Sequence, residues 1–127
     1  MAVIVTESLK DPALLRKIPG RELKRYMLPL NDGPVEITEL DIPRPAAHDA
    51  CLQLAAALRP EGYYAQLQDA HIMYVVFPHT ISVVRRADPT SEAAAQRVGT
   101  LFSIPLAQMD FLRMFTTPYP NAPTPTR

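Results

Sequence analysis

Asp69 and His71, with His79 a little further along, come nearest to chemistry by type and spacing in this chain. A carboxylate two positions from an imidazole can form an acid–base pair. The simpler reading is preferred: Asp69 is a turn residue, and His71 is a half-exposed strand residue that follows it. His71 and His79 fall at opposite ends of one strand. At about 3.3 Å per residue they stand roughly 20 Å or more apart, too far to share a metal ion within one chain. His48 lies near the start of a helix with no obvious partner, so no zinc or iron site is expected.

Cys51 is the only cysteine. That rules out an intrachain disulfide and a cysteine-rich zinc site. It falls on an apolar helix stripe and reads as a small buried hydrophobe. A nucleophilic thiol needs a basic or helix N-terminal setting that its neighbours do not supply. Arg85-Arg86 could clamp a carboxylate or phosphate, but Arg85 sits at the edge of a core face, within reach of Asp88 or Glu61. Glu39 and Asp41 are paired carboxylates on a strand read as solvent-facing. With four glycines in the chain, there is no dinucleotide fingerprint, Walker loop, nucleophile elbow or zinc-protease helix. No cofactor is expected and no catalytic motif is recognisable.

The stretch that must position these residues is 62–86, the densest run of β-branched and aromatic side chains. Two turn-like breaks, at Asp69-Ala70 and Pro78-His79, divide it into a three-stranded antiparallel meander. A turn at Pro78-His79 pairs 77 with 80, 76 with 81, 74 with 83 and 72 with 85. A turn centred on Asp69-Ala70 pairs 67 with 72, 65 with 74 and 63 with 76. Cross-strand partners share a face. One face then carries Tyr63, Ala65, Leu67, Ile72, Tyr74, Val76, Ile81, Val83 and Arg85, and reads as the core side. The other carries Tyr64, Gln66, Gln68, His71, Met73, Val75, Phe77, Thr80, Ser82, Val84 and Arg86. This mixed face is too apolar to be left to water. Its cover is expected to be the chain's own terminal segments, a second copy packed sheet to sheet, or a small ligand in a pocket. The candidate binding residues are Tyr64, Gln66, His71, Met73, Val75, Phe77 and Arg86, with His71 the acid–base candidate if the site is enzymatic.

The flanking elements follow from local signals. Ala2 to Thr6 reads as a strand. Asp11-Pro12 is a helix start, an N-cap followed by a proline at the first helical position. About two turns should follow over ALLRKI, then a second helical piece over 21–28 with Leu23, Tyr26 and Met27 inward. Asn31-Asp32-Gly33-Pro34 is a strong turn. Val35 to Ile42 reads as a strand whose apolar phase changes between Ile37 and Leu40, which a bulge at Thr38-Glu39 would repair. Residues 46–58 form an alanine-rich helix with Ala47, Cys51, Leu54 and Leu58 on one stripe. Asp88-Pro89 repeats the helix start, leading into 90–102 with Ala94, Val98, Leu101 and Phe102 inward. A last helix runs over 106–115, carrying Met109, Leu112 and Phe115.

Together these predict an α+β single domain over 1–115. Its sheet has about five largely antiparallel strands, with helices packed mainly on one face. A proline-rich extended tail occupies 116–127.

Thirteen basic residues balance thirteen acidic ones, for zero formal net charge. That argues against a general nucleic-acid binder, and it removes one barrier to self-association. Six basic side chains (Lys10, Arg16, Lys17, Arg21, Lys24, Arg25) crowd residues 10–25. They read as a solvated face rather than an anion site, and the acidic segment around Glu36, Glu39 and Asp41 could pair with them. No apolar run reaches the roughly 18 residues of a membrane span, and no signal peptide is apparent. A cytoplasmic location is the default expectation. The expected function is a non-enzymatic module that self-associates as a homodimer, or binds a protein partner, through the mixed face. The other reading makes that face a small-molecule pocket. Nucleic acid and membrane are not expected partners.

Overall fold

The computed structural model describes residues 1–30 and 33–116. The Asn31-Asp32 turn and the tail from residue 117 lie outside the described residues. Among these, the strands are β1 (Ala2–Val5), β2 (Arg21–Leu30), β3 (Gly33–Asp41), β4 (Ala65–Gln68), β5 (Ile72–Phe77) and β6 (Thr80–Arg85). They form one sheet in the order β2-β3-β1-β4-β5-β6, and every neighbouring pair is antiparallel. The helices are α1 (Ala47–Ala57), α2 (Pro89–Thr100) and the single turn α3 (Phe111–Met114). The fold is α+β, with six strands rather than five.

The extra strand is β2, which replaces the helix expected over 21–28. The residues RELKRYML favour helix by propensity, but tertiary pairing overrides a weak preference. The acidic β3 lies directly alongside: Arg25 pairs with Glu36 at 2.9 Å, Lys24 with Glu39 at 3.7 Å and Arg21 with Asp41 at 3.8 Å. The basic and acidic segments therefore pair within one molecule, as two arms of a hairpin. Strand alternation buries Leu28 and leaves Leu23 and Met27 at 45% and 56% exposure, where a helix would have turned both inward. Residues 12–16 also depart from the expected α-helix and form a 3₁₀ turn, with Asp11 accepting a hydrogen bond from the Ala13 amide.

The phase change in β3 needs no bulge, because both faces of the sheet are covered. Ile37 faces one buried cluster, with Val3, Val5 and Leu28. Leu40 and Ile42 face another, with Ile4 and the α1 residues Cys51 and Leu54. The irregularity in this hairpin lies in β2, between Glu22 and Lys24.

Helices occupy both faces rather than one. α1 packs over β1, β4 and β5, burying Ala50, Cys51, Leu54 and Ala55 against Ile4, Leu67 and Val76. α2 and the segment after it pack on the opposite face, against Met73, Val75, Phe77 and Val84. Asp88 caps α2 by accepting from the Thr90 and Ser91 amides. The buried positions of α2 are Ala95 and Gly99, whereas Ala94 is exposed and Leu101 is 80% exposed. The last helix is shorter than expected: a 3₁₀ turn at Leu106–Gln108 precedes α3, and Met109, Phe111 and Met114 are the buried anchors.

Candidate functional site

The β5–β6 hairpin pairs Phe77 with Thr80, Tyr74 with Val83 and Ile72 with Arg85. Pro78 and His79 make its two-residue loop. His79 holds a left-handed backbone at φ 55°, and its amide donates to the Ala55 carbonyl at 2.9 Å. A turn sequence without the usual asparagine or glycine is thus tied to α1. In the β4–β5 hairpin, Ala65 pairs with Val76 and Leu67 with Tyr74. This register is two residues away from the one expected, so each side chain keeps its face.

The mixed face is closed by the chain itself. Met73, Val75 and Phe77 have no exposed surface and Gln66 is 1% exposed. Their cover is α2 with residues 101–116, a largely irregular segment that holds only a 3₁₀ turn and the single turn α3. Tyr64 stacks edge-on against Phe111 at 5.4 Å, and Phe77 lies parallel to Phe102 at 5.7 Å. The polar groups of this face and of α2 also hold the segment after α2. A segment without regular structure leaves carbonyls that must find donors when buried. Tyr64 Oη donates to the Gln108 carbonyl, Gln68 Nε2 to the Met114 carbonyl and Gln96 Nε2 to the Met109 carbonyl. Glu92 accepts from the Leu112 amide, and Gln66 Nε2 donates to Gln68 Oε1. The apolar and polar mixture is what an irregular, internal cover requires. Any outside occupant must take the place of residues 101–116.

Two candidate residues lie apart from that cluster. Arg86 donates to the Ala70 carbonyl at 3.1 Å and lies 5.9 Å from the Phe115 ring centre. His71 is exposed, and its carbonyl accepts from the Arg86 amide. Asp69 does not orient the imidazole. Its Oδ1 accepts from the backbone amides of His71 at 2.7 Å and Ile72 at 2.9 Å. Those two bonds, helped by nearby Arg44, hold its carboxyl below the usual carboxylate value.

Asp69 is therefore a turn residue, and its removal should be felt as lost stability. A depressed pKa in the folded state means stabilisation that is present above the ordinary value of 3.8 and lost as pH falls through the folded value. Asp69→Ala should lower stability by about 1 kcal/mol near neutral pH. Urea denaturation from pH 6 down to strong acid should show the two proteins converging. A gap that persists unchanged in acid would refute the account.

Cys51 is buried, and desolvation pushes its thiol up to about 11. That removes the thiolate a nucleophile needs. Among the described residues, no group of three or more His, Cys, Asp or Glu side chains is placed to hold a metal ion. None of the helices in that range is long and apolar enough to cross a membrane.

Among the described residues, an opening lies on the other face, the one expected to be the core side. There α1 covers β4 and β5 but not all of β6. Ile72, Tyr74 and Ile81 are only half-buried and Val83 is 41% exposed. A cavity of about 300 Å³ lies between the start of α1 and the β4–β5 hairpin. Ile42, Leu67 and Ile72 give it an apolar lining, and Tyr74, His48 and Arg44 bring polar groups. Arg44 and Asp69 face each other across it at 3.4 Å, both substantially exposed. A 3₁₀ turn at Arg44–Ala46, entered from Pro43, leads into α1 and presents Arg44. Sequence reasoning weighed His48 only as a metal ligand without a partner, and did not single out Arg44. The available signal was Tyr74, a polar-tipped ring in the middle of a largely apolar face.

Comparison with protein-family models, with curated proteins and with solved structures finds no match.

Proposed function

We propose that this protein is a small ligand-binding module rather than an enzyme. Its ligand is a small, partly apolar molecule with one anionic or hydrogen-bonding group. The observation that carries this reading is the cavity beside α1, whose apolar walls and few polar groups are the usual make-up of a small-molecule site. Arg44 and His48 would receive the polar end, and Ile42, Leu67 and Ile72 the apolar body. Binding is favoured over catalysis because the residues best suited to chemistry are otherwise engaged. The Asp69 carboxylate holds two backbone amides, and the Cys51 thiol is buried.

The test is an amide NMR titration with benzoate, and with benzyl alcohol as its neutral counterpart, into the millimolar range. Benzoate should shift the signals of Ala47, His48, Asp69 and Ile72 more than the alcohol does. Ala47→Phe, which fills the cavity, should abolish the response while leaving the remaining spectrum folded. No response at those amides to either probe, or a response unchanged in Ala47→Phe, would refute the reading.

A further inference from the structure

Among the described residues, β2 and β6 are the two edges of the sheet, and they differ in kind. β2 carries Arg21, Glu22, Lys24 and Arg25, an irregular register between Glu22 and Lys24, and Pro29. Charges, bulges and prolines are the devices that keep an edge from pairing with another strand. β6, at the opposite edge, has none of them between Thr80 and Val84.

The backbone of β6 follows from its hairpin. A two-residue loop closes on a hydrogen-bonded pair, here Phe77 and Thr80, and the pattern alternates from there. Thr80, Ser82 and Val84 therefore turn their amides and carbonyls toward β5. Ile81, Val83 and Arg85 turn theirs outward. Two hydrogen bonds agree with this phase. The Arg86 amide reaches inward to the His71 carbonyl at 3.0 Å. The Arg85 amide is taken on the outer side by Ser91 Oγ at 2.9 Å. Among the described residues, Ile81 and Val83 have no such cover. Their side chains share the half-open face beside α1, where Val83 is 41% exposed.

We propose that β6 pairs with β6 of a second copy, antiparallel, about a two-fold axis through Ser82. This goes beyond the ligand-binding reading and does not depend on it. The commitment to a second copy rests on self-complementarity. With Ser82 on the axis, Ile81 lies opposite Val83 of the partner, and Val83 opposite the partner's Ile81. Each of these pairs exchanges both backbone hydrogen bonds, because both residues already point outward. The four side chains then form one apolar group on the same face. The uncharged stretch Thr80 to Val84 and the zero net charge set no repulsion against it. Pairing stops at Arg85, whose amide Ser91 already holds. An isologous dimer of this kind joins the two sheets into one.

Sedimentation equilibrium of the full chain, over a wide concentration range, tests it. The expected result is reversible association to twice the monomer mass. Val83→Lys, at an exposed position, should weaken that association at least tenfold without changing the circular dichroism. Lys24→Ala on the opposite edge should leave it unchanged. Ser82 faces its own counterpart at the close, non-hydrogen-bonded spacing that a disulfide can bridge. Ser82→Cys should therefore cross-link the dimer under mild oxidation, while the wild-type chain, whose Cys51 is buried, does not. A monomer at every concentration overturns the proposal. So does a dimer indifferent to Val83→Lys, or one that Ser82→Cys fails to cross-link.

Discussion

Phe77→Ala should lower the stability of this fold by about 3–5 kcal/mol, the range for deleting a fully buried aromatic side chain. Phe77 has no exposed surface and ranks among the largest buried side chains. It lies parallel to Phe102 and 6.2 Å from Tyr64, so its ring connects the sheet to the segment covering it. The site is also hard to collapse. β5 is paired on both sides, by β4 and β6, so the backbone cannot close into the void. Urea denaturation of Phe77→Ala beside Phe77→Leu should show most of the loss restored by leucine, which refills the volume. A loss under about 1 kcal/mol for alanine would mean that the C-terminal segment does not rest on this ring.

Gly99→Val should destabilise by about 1–3 kcal/mol, and its effect should be concentrated in residues 101–116. Glycine inside a helix costs about 0.5–1 kcal/mol relative to alanine, so its place in α2 calls for a packing reason. The reason is close approach: a β-carbon at position 99 would overlap the Met109 sulfur and stand 3.2 Å from the Phe77 ring. Met109 has no exposed surface into which to retreat. Amide hydrogen exchange should therefore speed up at Ile104, whose amide bonds the Gly99 carbonyl, and at Leu112, which Glu92 holds. Exchange in β1 and β3 should change far less. If Gly99→Ala stabilised the protein instead, helix propensity would have outweighed packing and α2 would not be as close as described.

How much was legible in the residues differs from element to element, for physical reasons. The two Asp-Pro starts announced themselves because capping is a local interaction between a side chain and amides two or three residues on. α1 was legible because alanine and leucine recur at helical spacing over its whole length. β2 was not, because RELKRYML satisfies a helical stripe as well as a strand alternation, and the deciding partner is β3. The apolar phase change near Ile37 and Leu40 looked like a defect under the assumption of one buried face. It is the ordinary pattern of a strand buried on both sides. The mixed face was seen correctly as needing a cover. Which of the three expected covers it has could not be read, because residues 101–116 are held by long-range bonds from Tyr64 and Gln68 more than by any periodicity of their own. The cavity beside α1 was hidden for a similar reason. It is a gap between elements, and no run of residues encodes a gap.

The position of β1 has a kinetic consequence. Residues 2–5 occupy the middle of the sheet, between β3 and β4, yet they precede both in the chain. Val3 meets Glu39 on one side and Gln66 on the other. The hairpins β2–β3 and β5–β6 can each close over short loops. β1 must wait on the ribosome until its second neighbour has been synthesised, and only then can the two halves be joined. Pairings at such separation make closure entropically slow, and place the rate among sheet proteins limited by long-range contacts rather than among fast helical folders. The apolar run of β1 is therefore the part of the newborn chain that spends longest without its partners.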